Sequence, residues 1–246
     1  MPLYQDEGVV LRTAKLGEAD RILTLLTRDH GKVRAVAKGV RRTKSRFGGR
    51  LEPFMRVALL IAEGRSLDVV SQAESIAAYA GPICADFQAY TAANVICETA
   101  DKLVATEKEP AAAQYRLVLG ALNALAKHAH EPSTIGDSYV LRALAIAGWT
   151  PRLRVCVVCG EPISSTLSWY FSIPAGGLMC AADHTPESEA VSWDAICRLS
   201  ALVDGDWGEL DGVPAAASIQ REIHQIVEEW GEYYLERPIR SMRLLD

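Results

Sequence analysis

Residues 7 to about 75 run on a period of two, and nothing else in the chain constrains its N-terminal third so tightly. In KVRAVAK, residues 32–38, Val33, Ala35 and Ala37 share one face while Lys32, Arg34 and Lys38 share the other. That is the pattern of a half-buried strand. EGVVLRTAKLG, RILTLLT, FMRVALLIAEG and LDVVSQAES make up a set of five short strands, with turns at RDHGK and EGRS. Gly31 stands where a hairpin needs a positive φ.

Five such strands with one long excursion between the third and fourth predict a small closed barrel of the oligonucleotide-binding (OB) type; an SH3-like barrel is the rival. After Tyr79 the period changes. Gly81-Pro82 punctuates the chain, and the alanine-rich segments CADFQAYTAANVICETADKLVA, AAAQYRLVLGALNALAKHA and TIGDSYVLRALAIAG follow, the last introduced by Pro132-Ser133 and ended by Gly148. They predict helices. Further helices are expected at about 192–203 and 215–236. The fold class expected is therefore α+β and multidomain: an OB barrel over 1–80, then an all-α domain over 81–246 with a knuckle inserted at about 152–186.

Charge divides the chain at the same place. Residues 1–80 hold fourteen Lys/Arg against nine Asp/Glu, a net +5, whereas 81–246 hold twelve against twenty-two, a net −10. Two modules with different partners follow from that asymmetry. The opening residues show no basic n-region or long apolar segment, and no window approaches a membrane span, so a soluble cytoplasmic chain is expected.

The excess positive charge is concentrated in the excursion. VAKGVRRTKSRFGGRLEPF, residues 36–54, carries Lys38, Arg41, Arg42, Lys44, Arg46 and Arg50. Cations so dense repel one another unless a polyanion such as a phosphate chain neutralises them. Phe47 among them offers a ring for base stacking, the combination expected of a single-strand binder, and Gly48-Gly49 allow a mobile tip. Arg34, from the neighbouring strand, is a further candidate. Gly39 through Lys44-Ser45 imitates a phosphate-binding loop but lacks the glycine before the lysine, which excludes ATP binding on this motif.

CVVCG, residues 156–160, precedes GGLMCAADH, residues 176–184, by a spacing that suits a tetrahedral metal site. Cys156, Cys159 and Cys180 supply three ligands, and either His184 or Asp183 the fourth; imidazole chemistry favours His184. No histidine is followed two positions on by glutamate, so the deaminase pattern is missing and a structural zinc is expected. Cys84, Cys97 and Cys197 fall in helical patterns and are expected in the core.

AKGVRRTKSRFGGRLEPF, the CVVCG knuckle after AIAGWTPRL, and the closing YLERPIRSMRLL together resemble the RecO family of bacterial recombination mediators over nearly the whole chain. The resemblance implies an N-terminal OB fold, a helical C-terminal domain, and binding to single- and double-stranded DNA. It also implies strand annealing and, with RecR, loading of the recombinase RecA onto DNA coated by single-strand-binding protein, in DNA repair and without enzymatic turnover. By the same resemblance the acidic tail of single-strand-binding protein docks in an apolar, basic-rimmed groove on the helical domain, with Arg142, Arg152, Arg154, Arg237, Arg240 and Arg243 as candidate rims. The chain departs from zinc-bearing relatives at Asp183, where they tend to carry a second Cys-x-x-Cys. Two other readings are a zinc-containing RNA-binding or ribosome-associated module, and a zinc-dependent hydrolase, which would need an open metal position.

Overall fold

The computed structural model of the chain describes residues 2–212 and 215–245. Five strands, β1 (Leu3–Leu16), β2 (Asp20–Thr27), β3 (Gly31–Ala37), β4 (Met55–Ala62) and β5 (Asp68–Ala78), close into a barrel in the order β1-β2-β3-β5-β4, with β4 paired back onto β1. Every pairing is antiparallel except the short seam of β3 with β5, which runs parallel through Ala35–Asp68 and Val36–Val69. Register shifts in β1 beside Val10 and in β5 opposite Arg56 and Leu60 supply the bends that so small a barrel needs. Val10, Leu23, Leu25, Val33, Ala35, Val57, Leu59, Ile61 and Val70 fill the interior.

β3 departs from the expected half-exposed strand. Its Lys32 and Val36 are buried as well as Val33 and Ala35. The cause is a segment laid along it: Lys108 N donates to Lys32 O at 2.8 Å, and Lys32 Nζ reaches Asp101 O at 2.8 Å and Asp101 Oδ1 at 3.1 Å. Gly31 is required twice over, by its φ of 62° and because a Cβ there would stand 1.7 Å from Glu109 O.

That segment runs from Asp101 in the last turn of α2 (Phe87–Leu103), which follows α1 (Ala80–Ala85), through the connection to α3 (Ala112–Ala126). The single helix expected from Cys84 onward is broken at Asp86, whose extended backbone and carboxylate, accepting from Gln88 N at 2.8 Å and Ala89 N at 3.2 Å, start α2 afresh. Cys97 is buried as expected, whereas Cys84 is exposed. One compact unit ends at Pro132 and the second begins at Ser133. The change from strand to helix falls near residue 80, but α1–α3 cluster with the barrel, because ion pairs and the strand-like bridge from Lys32 to Glu107 tie them to it.

The second unit is not the all-α domain expected: with α4 (Pro132–Ile146), α5 (Trp193–Asp204), α6 (Trp207–Gly212) and α7 (Ala217–Leu235) it holds a three-stranded sheet of β6 (Trp169–Ser172), β7 (Gly177–Cys180) and β8 (Glu189–Val191) in the order β7-β6-β8, whose last strand lies beyond the expected insertion. Ser192 caps α5 through Ala195 N and is itself held by Glu222, at 2.7 Å to its N–H and 2.8 Å to its hydroxyl. Trp230 of α7 packs edge-on against Phe171 of β6, 5.8 Å between ring centroids, joining sheet to helices. No helix among the described residues is long and apolar enough to cross a membrane.

Candidate nucleic-acid interface and metal centre

The excursion between β3 and β4, residues 38–54, is a shaped cap. Its apolar residues Val40, Phe47 and Leu51 join the barrel core, the last at the end of a 3-10 helix, Gly48–Leu51. Polar ties secure its ends. Gly39 N donates to Asp20 Oδ1 at 2.7 Å, Arg41 N to Ala19 O at 2.9 Å and Phe54 N to Val10 O at 2.9 Å, while Arg21 Nη1 reaches both oxygens of Glu52 at 2.7 Å.

With the apolar side chains turned inward, Lys38, Arg41, Arg42, Lys44, Arg46 and Arg50 are all left exposed. Among the described residues none of the six meets a carboxylate. Arg41 Nη1 donates to Gly17 O at 3.3 Å and Arg50 Nη1 to Arg46 O at 3.0 Å, contacts that orient a guanidinium without cancelling its charge. Three arginines elsewhere on the barrel differ: Arg12 pairs with Asp101 at 2.6 Å, Arg28 with Asp29 at 3.0 Å and Arg56 with Glu7 at 3.0 Å. The exposed Lys15 and Arg65 stand apart from the cap and from one another in the sequence. Arg34 belongs with the paired arginines. Its guanidinium lies 3.6 Å from Glu107, so the structure does not bring it into the unpaired set.

Phe47 requires a correction. The ring expected to stack on bases is 2% exposed, sits in the barrel core, and is covered by the Arg46 guanidinium at 4.8 Å from its centroid. Glycines after it permit the 3-10 turn that drives it inward; burying a phenylalanine outweighs any benefit of holding it in water. Sequence reasoning also passed over two exposed rings of α2, Phe87 and Tyr90. Their signal was present: they lie one turn apart, opposite the buried stripe of Ala89, Ala92, Ala93 and Ile96.

In the second unit the knuckle gathers Cys156, Cys159, Cys180 and Asp183, whose ligand atoms all lie within 4.8 Å of one another. Cys156 N donates to Glu161 O at 2.8 Å and Gly160 N to Cys156 O at 3.0 Å, which curls the first pair into a turn. β7 carries Cys180, and the turn after it, with Asp183 N and His184 N both on Cys180 O, brings Asp183 back. Gly177 lets Arg152 approach: a Cβ there would stand 2.3 Å from Arg152 O.

His184, the chemically preferred fourth ligand, is not part of this group. Its ring stacks on Tyr170 at 4.0 Å and 12°, and its Nδ1 lies 2.9 Å from Ala181 O. Asp183 takes the place instead, since the turn points the residue three positions after Cys180 inward and its neighbour outward.

The donor set fits zinc. Bond lengths of about 2.3 Å to sulfur and about 2.0 Å to oxygen place tetrahedral ligands about 3.8 Å apart between sulfurs and about 3.5 Å between sulfur and oxygen. Cys159 Sγ and Cys180 Sγ stand 3.8 Å apart, and Asp183 Oδ2 lies 3.4 Å from Cys156 Sγ and 3.2 Å from Cys180 Sγ. Hydrogen bonds from Cys159, Cys180 and Cys156 hold the Asp183 carboxyl below its usual range, and Asp183 in turn pushes the Cys159 thiol up to about 12. Burial would raise Cys156, but backbone N–H groups of Cys159, Cys180 and Val158 outweigh it and lower that thiol. A metal held by these four groups would cross-link the two halves of the knuckle.

A closed five-stranded barrel with a cationic cap is thus followed by a unit whose knuckle gathers four groups that could hold a metal ion. Residues 1–79 match the family described as "Recombination protein O N terminal" and residues 84–243 that described as "Recombination protein O C terminal"; the chain belongs to the RecO family. It is 98% identical over 246 residues to the DNA repair protein RecO of Bifidobacterium adolescentis, covering all of both chains. It is 64% identical to that of Bifidobacterium longum, again over the whole of each, and 46% identical to that of a Nocardioides species over 99% of each.

Proposed function

We propose that the protein is a DNA repair mediator whose N-terminal module, residues 1–80, is an OB fold that binds single- and double-stranded DNA through Lys38, Arg41, Arg42, Lys44, Arg46 and Arg50. The observation that carries this reading is the absence, among the described residues, of carboxylate partners for these six, on a cap pinned by its own apolar side chains. Charges held apart at fixed positions without neutralisation favour a polyanion, and bringing two strands to one such surface lowers the repulsion that keeps complementary bases apart. Annealing by this route needs no nucleotide hydrolysis.

Membership of the family supports the remaining assignments: action with RecR to load RecA onto DNA coated by single-strand-binding protein, in the cytoplasm at the nucleoid. For the acidic tail of single-strand-binding protein the second unit offers a cavity of about 270 Å³ lined by Pro151, Leu153, Val155 and Val203 together with Arg152, Arg154 and Asp204. Of these, Arg154 pairs with Asp204 at 2.8 Å, and Arg152 is the cation left to meet a carboxylate. Cys156, Cys159, Cys180 and Asp183 hold a structural zinc.

The test is annealing of complementary oligonucleotides without ATP, with and without single-strand-binding protein, together with single-strand affinity measured across salt. Six phosphate contacts predict a log–log slope of about 4 in magnitude, at about 0.7 per contact. A flat salt response would overturn the reading.

A further inference from the structure

We propose that Phe87 and Tyr90 form a base-stacking platform for a single strand whose phosphates lie along the excursion. The inference rests on the DNA reading of the six cations and adds to it the surface that reads unpaired bases.

α2 buries Ala89, Ala92, Ala93, Val95 and Ile96 and leaves Phe87 73% and Tyr90 45% exposed. Two rings one helical turn apart, held in water on a helix with a well-formed apolar face, run against the hydrophobic tendency that buried Phe47 and Phe54. A surface of this composition answers to a partner with flat apolar faces.

Its position selects the partner. Tyr90 packs edge-on against Phe54, 5.9 Å between centroids at 82°. Phe54 is the last residue of the excursion and is itself fixed, with a φ of 70°, 2% exposure and its N–H on Val10 O. The platform is thus joined by direct ring contact to the element that carries the unpaired cations, and Arg50 lies only four residues, at most about 14 Å of extended chain, before that contact. Asp86, the nearest carboxylate along the helix, is engaged by the N–H groups of Gln88 and Ala89. Asn94 Nδ2, one turn beyond, donates to Tyr90 O at 2.8 Å.

Single-stranded nucleic acid presents the complementary pair of features, a phosphate chain beside exposed rings, and aromatic stacking tolerates any sequence. Duplex DNA hides its base faces. The cations therefore serve both forms, whereas Phe87 and Tyr90 serve the single strand alone.

The experiment compares the full-length protein with the double variant F87A/Y90A, with Y90F, and with R41E/R42E. Single-strand and duplex affinities are measured across salt, and a 2-aminopurine oligonucleotide reports stacking by quenching. F87A/Y90A should weaken single-strand binding about tenfold and lose the quenching, with duplex affinity and the salt slope unchanged; Y90F should retain both properties. An unchanged thermal midpoint verifies folding.

If F87A/Y90A binds single strands like the parent while R41E/R42E does not, the stacking proposal is overturned and the DNA reading stands. If neither variant alters binding, the DNA reading itself falls. Loss of self-association or of binding to a purified protein partner, with DNA binding intact, would mark the face as a protein interface and likewise overturn the proposal.

Discussion

Two glycine-punctuated insertions, the excursion over 38–54 and the knuckle over 152–186, resolve the same local problem in opposite senses. The excursion turns Val40, Phe47 and Leu51 inward and its six cations outward, where no carboxylate among the described residues meets them. In the knuckle, Cys156, Cys159, Cys180 and Asp183 turn toward one another. Groups that diverge from a rigid base form a surface for something large; groups that converge within ligand distance form a site for something the size of an ion. The barrel wall supplies the control, because Arg12, Arg28 and Arg56 are as cationic as the cap yet each has an acidic neighbour.

The contrast breaks most severely at its apolar foundation. Phe47→Ala should cost about 3–5 kcal/mol of stability in the first unit, as for a fully buried phenylalanine, and denaturant unfolding measures it. A loss near zero would mean that the ring is not a core residue. Next in size, Arg41→Glu with Arg42→Glu should weaken oligonucleotide binding of every sequence at least tenfold and reduce the salt slope by about 1.4, two contacts at about 0.7 each. Arg28→Gln, a cation already paired, should change affinity less than about twofold; equal effects from the two sites would erase the distinction between cap and wall.

On the knuckle side, Asp183→Asn should lower zinc affinity about tenfold in a competition with a chromogenic chelator, while His184→Ala leaves it nearly unchanged. The reverse order would restore the imidazole as ligand. The smallest effect concerns pH. Burial alone would raise Asp101 and Asp68, but Arg12 and Lys32 at the first, and Gly64 N–H, the Tyr4 hydroxyl and Lys108 at the second, hold both below the usual carboxylate range. A depressed carboxyl stabilises the fold above its ordinary value near about 3.9, and that stabilisation is lost as pH falls below it. The thermal midpoint should drop on that acid limb, and Asp101→Asn should flatten the drop.

Much of this was legible in the sequence. Alternation located all five barrel strands, alanine-rich periodicity the main helices, and residue spacing three of the four side chains that converge in the knuckle. Local pattern suffices there because strand and helix periods are properties of neighbouring residues. The pattern failed on β3, since Lys32 looks solvent-facing until the segment carrying Asp101 and Glu107 is laid across it. It failed again on Phe47, which sits among charges in sequence and among aliphatic side chains in space.

By itself, then, the sequence determined the barrel strands and the main helices, where positive charge is concentrated and which residue types are available to a metal. Only the tertiary structure decided which cations stay unpaired, that Asp183 rather than His184 faces the cysteines, and that α1–α3 group with the barrel. The reason is range: periodicity and composition act through adjacent residues. Charge pairing, ligand convergence and burial depend on partners brought together from distant parts of the chain.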